Sequence, residues 1–287
     1  MSTQIIPMPP FDGVALGSII TCRPDINSRL LHGFLFKAVG HATNVISDIF
    51  EYFLLNQDDK QKILIKPLVQ NMSDAIDNAN GDTLDVAFAY LPLTRPGMNF
   101  SPWGTGDISR LSIQAKVKAA MTGVQSLTRL DGWLCYTPVN LPRLRGDVFL
   151  QSVITTPLPT AGWNTLANVE VRDISTVTKL ILGDTAVTEV KVSVGERLVY
   201  QMTLSAANEA ARRNPRYKVP AVPTCFPCLL DTLGIPSDFI PLLENGVRRP
   251  LNVEYYYDTT VHAAAVFDIL VEGVEMGQRQ AVATSRA

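Results

Sequence analysis

Apolar and polar positions alternate in short runs along most of the chain, and Gly, Pro, Asn or Asp closes each run. Period-two alternation marks a half-buried strand. Residues 108–119 show it most clearly, with Leu111, Ile113, Ala115 and Val117 set against Arg110, Ser112, Gln114, Lys116 and Lys118. Similar patterns or short apolar runs predict strands over 15–21, 30–38, 46–55, 61–68, 83–91, 124–139, 147–155, 169–171, 177–182, 188–194, 197–204, 250–260 and 264–274. The polar turns Asn56-Gln57-Asp58-Asp59 and Gly195-Glu196 predict two hairpins. The period changes to that of a helix over 69–80, where Val69, Met72, Ile76 and Ala79 form one apolar face, and again over 206–214. Gly81 and Pro215 stop these helices.

The chain repeats itself. Residues 48–80 and 189–214 each read as strand, tight turn, strand and short helix ending in Asn. Residues 63–66 align with 197–200, and 73–80 with 207–214, at an offset of 134; Leu111–Val117 aligns with Leu251–Tyr257 at an offset of 140. Repetition on this scale means two β-rich units in tandem. Many short strands, one helix per unit and long Pro/Gly loops predict antiparallel sandwiches of Greek-key or jelly-roll type, because a parallel fold needs a helix between most strands. The expected organisation is an N-terminal arm (1–13), a first sandwich (14–140), a linker (141–166), a second sandwich (167–275) and a C-terminal tail (276–287).

Bulk properties narrow the function. A chain of 287 residues suits two domains of roughly 100–150 residues. Charged residues make up 18%, below the roughly one quarter typical of globular domains. So little charge fits a surface covered by other subunits as well as a well-buried monomer. Net charge is −2 with no basic stripe, which argues against direct nucleic-acid binding. No apolar run is long enough to span a membrane, and MSTQIIPMPPFDG lacks the basic start and apolar core of a secretory signal. Cys22, Cys135, Cys225 and Cys228 are too scattered for a disulfide framework.

Candidate chemistry is thin. Cys225-Phe226-Pro227-Cys228 is a C-x-x-C without a second half-site or βαβ surroundings, so it reads as two small buried residues in a Pro-rich loop. His32, His41 and His262 lack metal-ligand spacing and read as structural. Gly104-Thr105-Gly106 precedes a strand, so it offers no helix N-terminus to a phosphate. Asp58, Asp59, Asp74 and Asp77 read as solvated charge rather than a cation site. The sequons at Asn71-Met72-Ser73 and Asn99-Phe100-Ser101 read as accidental. Phe100-Ser101-Pro102-Trp103 is a candidate subunit contact, a plug for one sandwich end or a sugar-binding tip. No catalytic, cofactor-binding or metal-binding residue is expected.

The two hairpin–helix stretches, together with ISRLSIQAKVKAA and PLNVEYYYDTTVHAAAVFDILVEG, resemble the double jelly-roll major capsid proteins. These build tailless icosahedral viruses with an internal membrane, and the likeness is to the compact forms of corticovirus-like and related bacteriophages. The resemblance spans roughly 14–275 and implies an all-β fold with short helices, built of two tandem eight-stranded antiparallel jelly-roll β-sandwiches. It also implies a homotrimer of pseudo-hexagonal outline that tiles a capsid lattice. Neighbouring trimers, penton proteins and minor capsid proteins would be its partners. Helices 69–80 and 206–214 would lie near the base of each jelly roll, and the arm 1–13 would face the internal membrane or neighbouring capsomers. The implied location is the virion, after synthesis in the host cytoplasm, with no enzyme activity. The modest loops 92–107 and 215–250 imply a flat outer surface. The alternatives are a glycan-binding or glycan-cleaving β-sandwich and a minor capsid or spike protein of the same fold.

Overall fold

The computed structural model describes residues 3–26, 29–58, 60–77, 87–93, 103–105, 108–121, 123–138, 148–171, 173–213, 217, 224–230, 240–244 and 246–275. Along the first half come β1 (Gln4–Pro7), β2 (Ile19–Cys22), β3 (Leu30–Gly40), α1 (Ile46–Ile49), β4 (Phe50–Gln57), β5 (Lys60–Ile65), α2 (Pro67–Asp77), β6 (Phe88–Pro92), β7 (Trp103–Gly104), β8 (Leu111–Val117) and β9 (Leu127–Thr137). The second half supplies β10 (Val148–Thr155), β11 (Gly162–Leu166), β12 (Thr176–Leu182), β13 (Val187–Val194), β14 (Arg197–Thr203), α3 (Leu204–Arg213), β15 (Phe226–Leu229), β16 (Ile240–Pro241), β17 (Leu243–Glu244), β18 (Val247–Arg248), β19 (Leu251–Tyr257) and β20 (Asp268–Glu275).

These elements form two compact units. The described residues of Met1–Pro67 and Asp85–Leu150 make unit 1, and those of Leu68–Leu84 and Gln151–Glu275 make unit 2. Unit 1 has sheets ordered β1-β9-β3-β6 and β2-β8-β4-β5; unit 2 has β10-β20-β12-β15 and β11-β19-β13-β14. The short strands β7 and β16 add to β3 and β12, and β17 and β18 pair apart. If the eight principal strands of each unit are numbered in chain order, both units pair 1-8-3-6 and 2-7-4-5. That is the jelly-roll topology, and the chain carries it twice.

Repetition extends to single residues. In β4–β8, Phe50 opposes Val117, a bulge follows, and Tyr52 to Gln57 oppose Lys116 to Leu111. In β13–β19, Val187 opposes Tyr257, a bulge follows, and Glu189 to Val194 oppose Tyr256 to Leu251. The two ladders coincide pair for pair at offsets of 137 and 140. The hairpins agree at 137 as well: Leu55 opposes Ile63 as Val192 opposes Tyr200. The offset of 134 expected for this hairpin is therefore three residues short. An odd shift turns a strand's side chains to the opposite face; it would match the buried Ile63 to the exposed Arg197, whereas 137 matches it to the buried Tyr200. The offset of 140 for β8 and β19 holds.

Inward residues fill each sandwich. Phe36 stacks on Phe53 at 4.8 Å in unit 1, and Tyr257 stacks on Phe267 at 6.2 Å in unit 2. A fully buried aromatic of this kind contributes about 2 kcal/mol by area alone.

Several elements differ from the expected ones. Residues 4–7, inside the expected arm, pair with β9 as an edge strand. Strand β11 falls within the expected linker 141–166 and has no expected counterpart, whereas β10 matches the strand expected over 147–155. Edge strands β1 and β11 bury little of themselves: β1 is exposed at Gln4, Ile5 and Pro7, and β11 has no fully buried residue. The expected loop 215–250 contains β15, whose Pro227 sits opposite Ile181. Because β15 is a sheet edge, a residue without an amide hydrogen is tolerated there. Residues 169–171 form no strand, and 46–49 form α1 ahead of β4. Helix α2 starts at Pro67, two residues before the expected 69, while residues 78–86, which hold the expected end of that helix and part of the expected strand 83–91, lie outside the described residues.

Candidate functional site

The sheet β10-β20-β12-β15 carries a buried ion pair on its helix-facing side. Lys179 Nζ lies 3.0 Å from Glu272 Oε2, with the two side chains 4% and 3% exposed. Chain direction puts them opposite each other on β12 and β20. Helix α2 completes the arrangement. Ser73 Oγ accepts from Lys179 Nζ at 2.8 Å and donates to Glu272 Oε1 at 3.0 Å. Gln151 Nε2 donates to Glu272 Oε1 at 2.9 Å and to Gln70 Oε1 at 3.0 Å. Around this polar centre Val69 packs with Ile181, Leu229 and Leu270, and Met72 and Val153 lie against them. A buried charge this well bonded specifies one docking position for α2. It leaves Glu272 no oxygen free for catalysis.

The cysteines are separated by strand geometry. Cys225 and Cys228 lie three residues apart at β15, so their side chains point to opposite faces. Cys225 joins the cluster around Val69, while Cys228 lies against Tyr200. Burial pushes the Cys225 thiol up to about 11 and holds Cys228 well above its ordinary value. Burial, then the charge of Asp12, pushes Cys22 up to about 11. All four cysteines are free, and both members of the C-x-x-C are buried as expected. Cys228 sits in the edge strand β15, and Cys225 immediately precedes it. Among the described residues, no three His, Cys, Asp or Glu side chains come together as metal ligands.

Other candidates have structural partners. Asp58 Oδ1 accepts from the amides of Ser109 and Arg110 at 3.1 and 2.9 Å, so it ties the β4–β5 turn to the entry of β8. Asp74 accepts from Gln70; Asp59 lies outside the described residues. Ser73, the hydroxyl residue of one sequon, is buried; the other sequon lies outside the described residues. Thr105 Oγ1 donates to carbonyls of Ile26 and Arg29, a loop tie rather than a phosphate cradle. His32 Nε2 meets Thr137 Oγ1 at 2.9 Å and His41 Nδ1 meets Thr43 Oγ1 at 3.0 Å. Trp103 is wholly buried and pairs through β7 with Leu31. It cannot serve as a surface tip for a sugar or a subunit.

His262 has the most chemical character. Its Nε2 lies 2.7 Å from Asp184 Oδ1 and its Nδ1 2.9 Å from the carbonyl of Ala263. Both neighbours are acceptors, which suits the doubly protonated ring. The Ala263 carbonyl first, and Asp184 after it, raise its pKa above the ordinary value of 6.5. Tyr257 Oη donates to Asp184 Oδ2 at 3.0 Å, and His262 and Asp184 border a cleft of about 340 Å³ with Met72 and Phe267. With both ring nitrogens engaged, His262 is a tie between the loop after β19 and the turn after β12, not a poised base.

On the outer face of β11-β19-β13-β14, Trp163 and Tyr256 are exposed and meet edge to face at 5.8 Å. Lys191 Nζ lies 4.0 Å from the Trp163 ring centre and occupies the indole face a sugar would stack on.

No protein-family model matches the chain, and no curated protein matches its sequence. Solved structures match over nearly its whole length. The major capsid protein P2 from Bacteriophage PM2 superposes with a TM-score of 0.72 at 12% identity, covering 95% of this chain and 98% of that one. The STIV MCP gives 0.70 at 9% identity, covering 96% and 98%. A chain of the PBCV-1 virus capsid gives 0.61 at 8% identity, covering 95% and 93%. The shared property is the fold: this chain is a double jelly roll of the kind found in these major capsid proteins.

Proposed function

We propose that this chain is a structural major capsid protein that self-assembles as pseudo-hexagonal homotrimers into an icosahedral shell around an internal membrane and genome. One observation carries the proposal: a single chain folds two jelly rolls whose ladders agree pair for pair. Two similar units in each of three chains approximate a sixfold tile while the oligomer closes with threefold symmetry. The near-complete coverage of capsid proteins by this fold supports the same role. The engagement of Lys179, Glu272, Asp184 and His262 in structural bonds supports a function without catalysis. Neighbouring trimers, penton proteins and minor capsid proteins are the partners this role requires, with the N-terminal residues 1–13 toward the membrane or adjacent capsomers. The place of action is the virion, after synthesis in the host cytoplasm.

Size-exclusion chromatography with light scattering tests the proposal. A stable species of three times 31.4 kDa is expected. A sugar-binding or sugar-cleaving monomer would overturn it. A minor capsid or spike protein would differ in copy number per particle.

A further inference from the structure

The positions of the buried Lys179–Glu272 pair have counterparts in the register of unit 1, where Asp131 is paired instead with Arg129 and Lys37 lies over the Phe88 ring. Lys37 opposes Asp131 across β3–β9, as Lys179 opposes Glu272 across β12–β20. On the other side Lys37 opposes Phe88, as Lys179 opposes Leu229. One step along, Val39 opposes Arg129, as Ile181 opposes Leu270. In unit 2 this face is sealed by α2. In unit 1 the corresponding positions are less buried: Lys37, Val39, Phe88 and Asp131 are half-buried and Arg129 is exposed.

Helix α3 stands to β14 as α2 stands to β5, with α2 starting at 67 and α3 at 204, again 137 apart. Val69 and Ser73, which α2 buries against unit 2, correspond to Ala206 and Ala210, and both are exposed on α3. Met72, which packs on the cluster that contains Leu270, corresponds to Glu209. Leu270 itself corresponds to Arg129. An apolar contact within the chain is thus matched by an exposed acid on one side and an exposed base on the other, each held within the chain by a surface ion pair, Glu209 to Arg213 and Arg129 to Asp131, that docking would exchange for one between copies. A chain that must stay soluble before it meets its partner needs that exchange.

We infer that α3 of one copy docks on the β1-β9-β3-β6 face of unit 1 in a second copy, with Ala206 and Ala210 over Lys37 and Val39 and Glu209 against Arg129. This deepens the capsid proposal and rests on it: the chain's own α2 contact is repeated between copies around the trimer. Small residues at Ala206 and Ala210 let the helix approach closely, and the ion pair gives direction.

Charge exchange tests this. Arg129→Glu and Glu209→Arg should each raise the concentration at which trimers dissociate by about tenfold, with circular dichroism unchanged. The Arg129→Glu/Glu209→Arg double variant should return to within about threefold of the parent chain. A photo-crosslinker at Val39 should join residues 204–213 of another, isotope-labelled copy. A trimer whose double variant is no better than its single variants, or whose crosslinks fall elsewhere, overturns this contact while leaving the capsid proposal standing. A parent chain that is monomeric overturns both.

Discussion

Lys179 and Glu272 form a buried ion pair, Nζ to Oε2 at 3.0 Å, that is capped by a helix from the far side of the repeat. Ser73 bonds both partners, yet the chain reaches it directly from β5 of the other jelly roll. The first hairpin–helix repeat therefore delivers its helix to unit 2, and a polar network fixes where it lands.

Breaking that pair from one side leaves an uncompensated buried charge. Lys179→Met or Glu272→Leu alone should cost about 3–5 kcal/mol in guanidinium unfolding. The double variant Lys179→Met/Glu272→Leu should recover most of that loss, because apolar residues of similar volume remove both charges together. Single variants as stable as the parent chain would show that the pair is not sealed.

Gly132 and Gly273 occupy matching places, each following the acid of its Lys–acid pair. A Cβ at Gly273 would lie 2.3 Å from the Thr176 carbonyl oxygen, which is backbone. At Gly132 it would lie 2.3 Å from Met8 Cε, the end of a flexible side chain. Gly273→Ala should cost more than about 2 kcal/mol, and Gly132→Ala about 1 kcal/mol or less. Thermal unfolding of the two variants side by side measures the difference.

Reactivity of the thiols follows from burial. Cys22, Cys225 and Cys228 should be silent to a disulfide reagent at pH 8 until the chain unfolds, since the reactive species is the thiolate. Burial also raises the pKa of Cys135, which is only half-buried, so it should react slowly in the folded chain. Fast labelling of Cys225 or Cys228 in the native chain would contradict their placement.

The His262 tie is pH-dependent. Its folded pKa lies above the ordinary 6.5, so the protonated ring favours the folded state. That contribution is fully present below about 6.5 and is lost as pH rises through the folded value. NMR titration of the ring should give a value above 6.5, and Asp184→Asn should lower it. A value at or below 6.5 would mean that the Ala263 and Asp184 contacts do not form in solution.

Strands with one wet face were legible in the sequence. β8 shows this most clearly, because alternation there is unbroken from Leu111 to Val117. Edge strands were not: β1 is mostly exposed, and β15 carries a proline. The helix of the first repeat was legible, but its docking was not. The apolar face of Val69, Met72, Ile76 and Ala79 does not include Gln70 or Ser73, yet both are fully buried and bonded to Gln151 and Glu272. Polar residues that find partners across the fold are invisible to periodicity. The loop setting of Trp103 leaves a sugar-binding tip, a subunit contact and a plug for one sandwich end all open, and only the long-range pairing with β3 puts the indole in the core.

The central claim is that two matched jelly rolls exist in one chain so that three chains make a sixfold tile. Negative-stain electron microscopy of the purified protein, with its mass measured by light scattering, tests this most directly. Hexagonal particles with the mass of three chains are expected. Monomers at micromolar concentration, or rings of any other copy number, would contradict it.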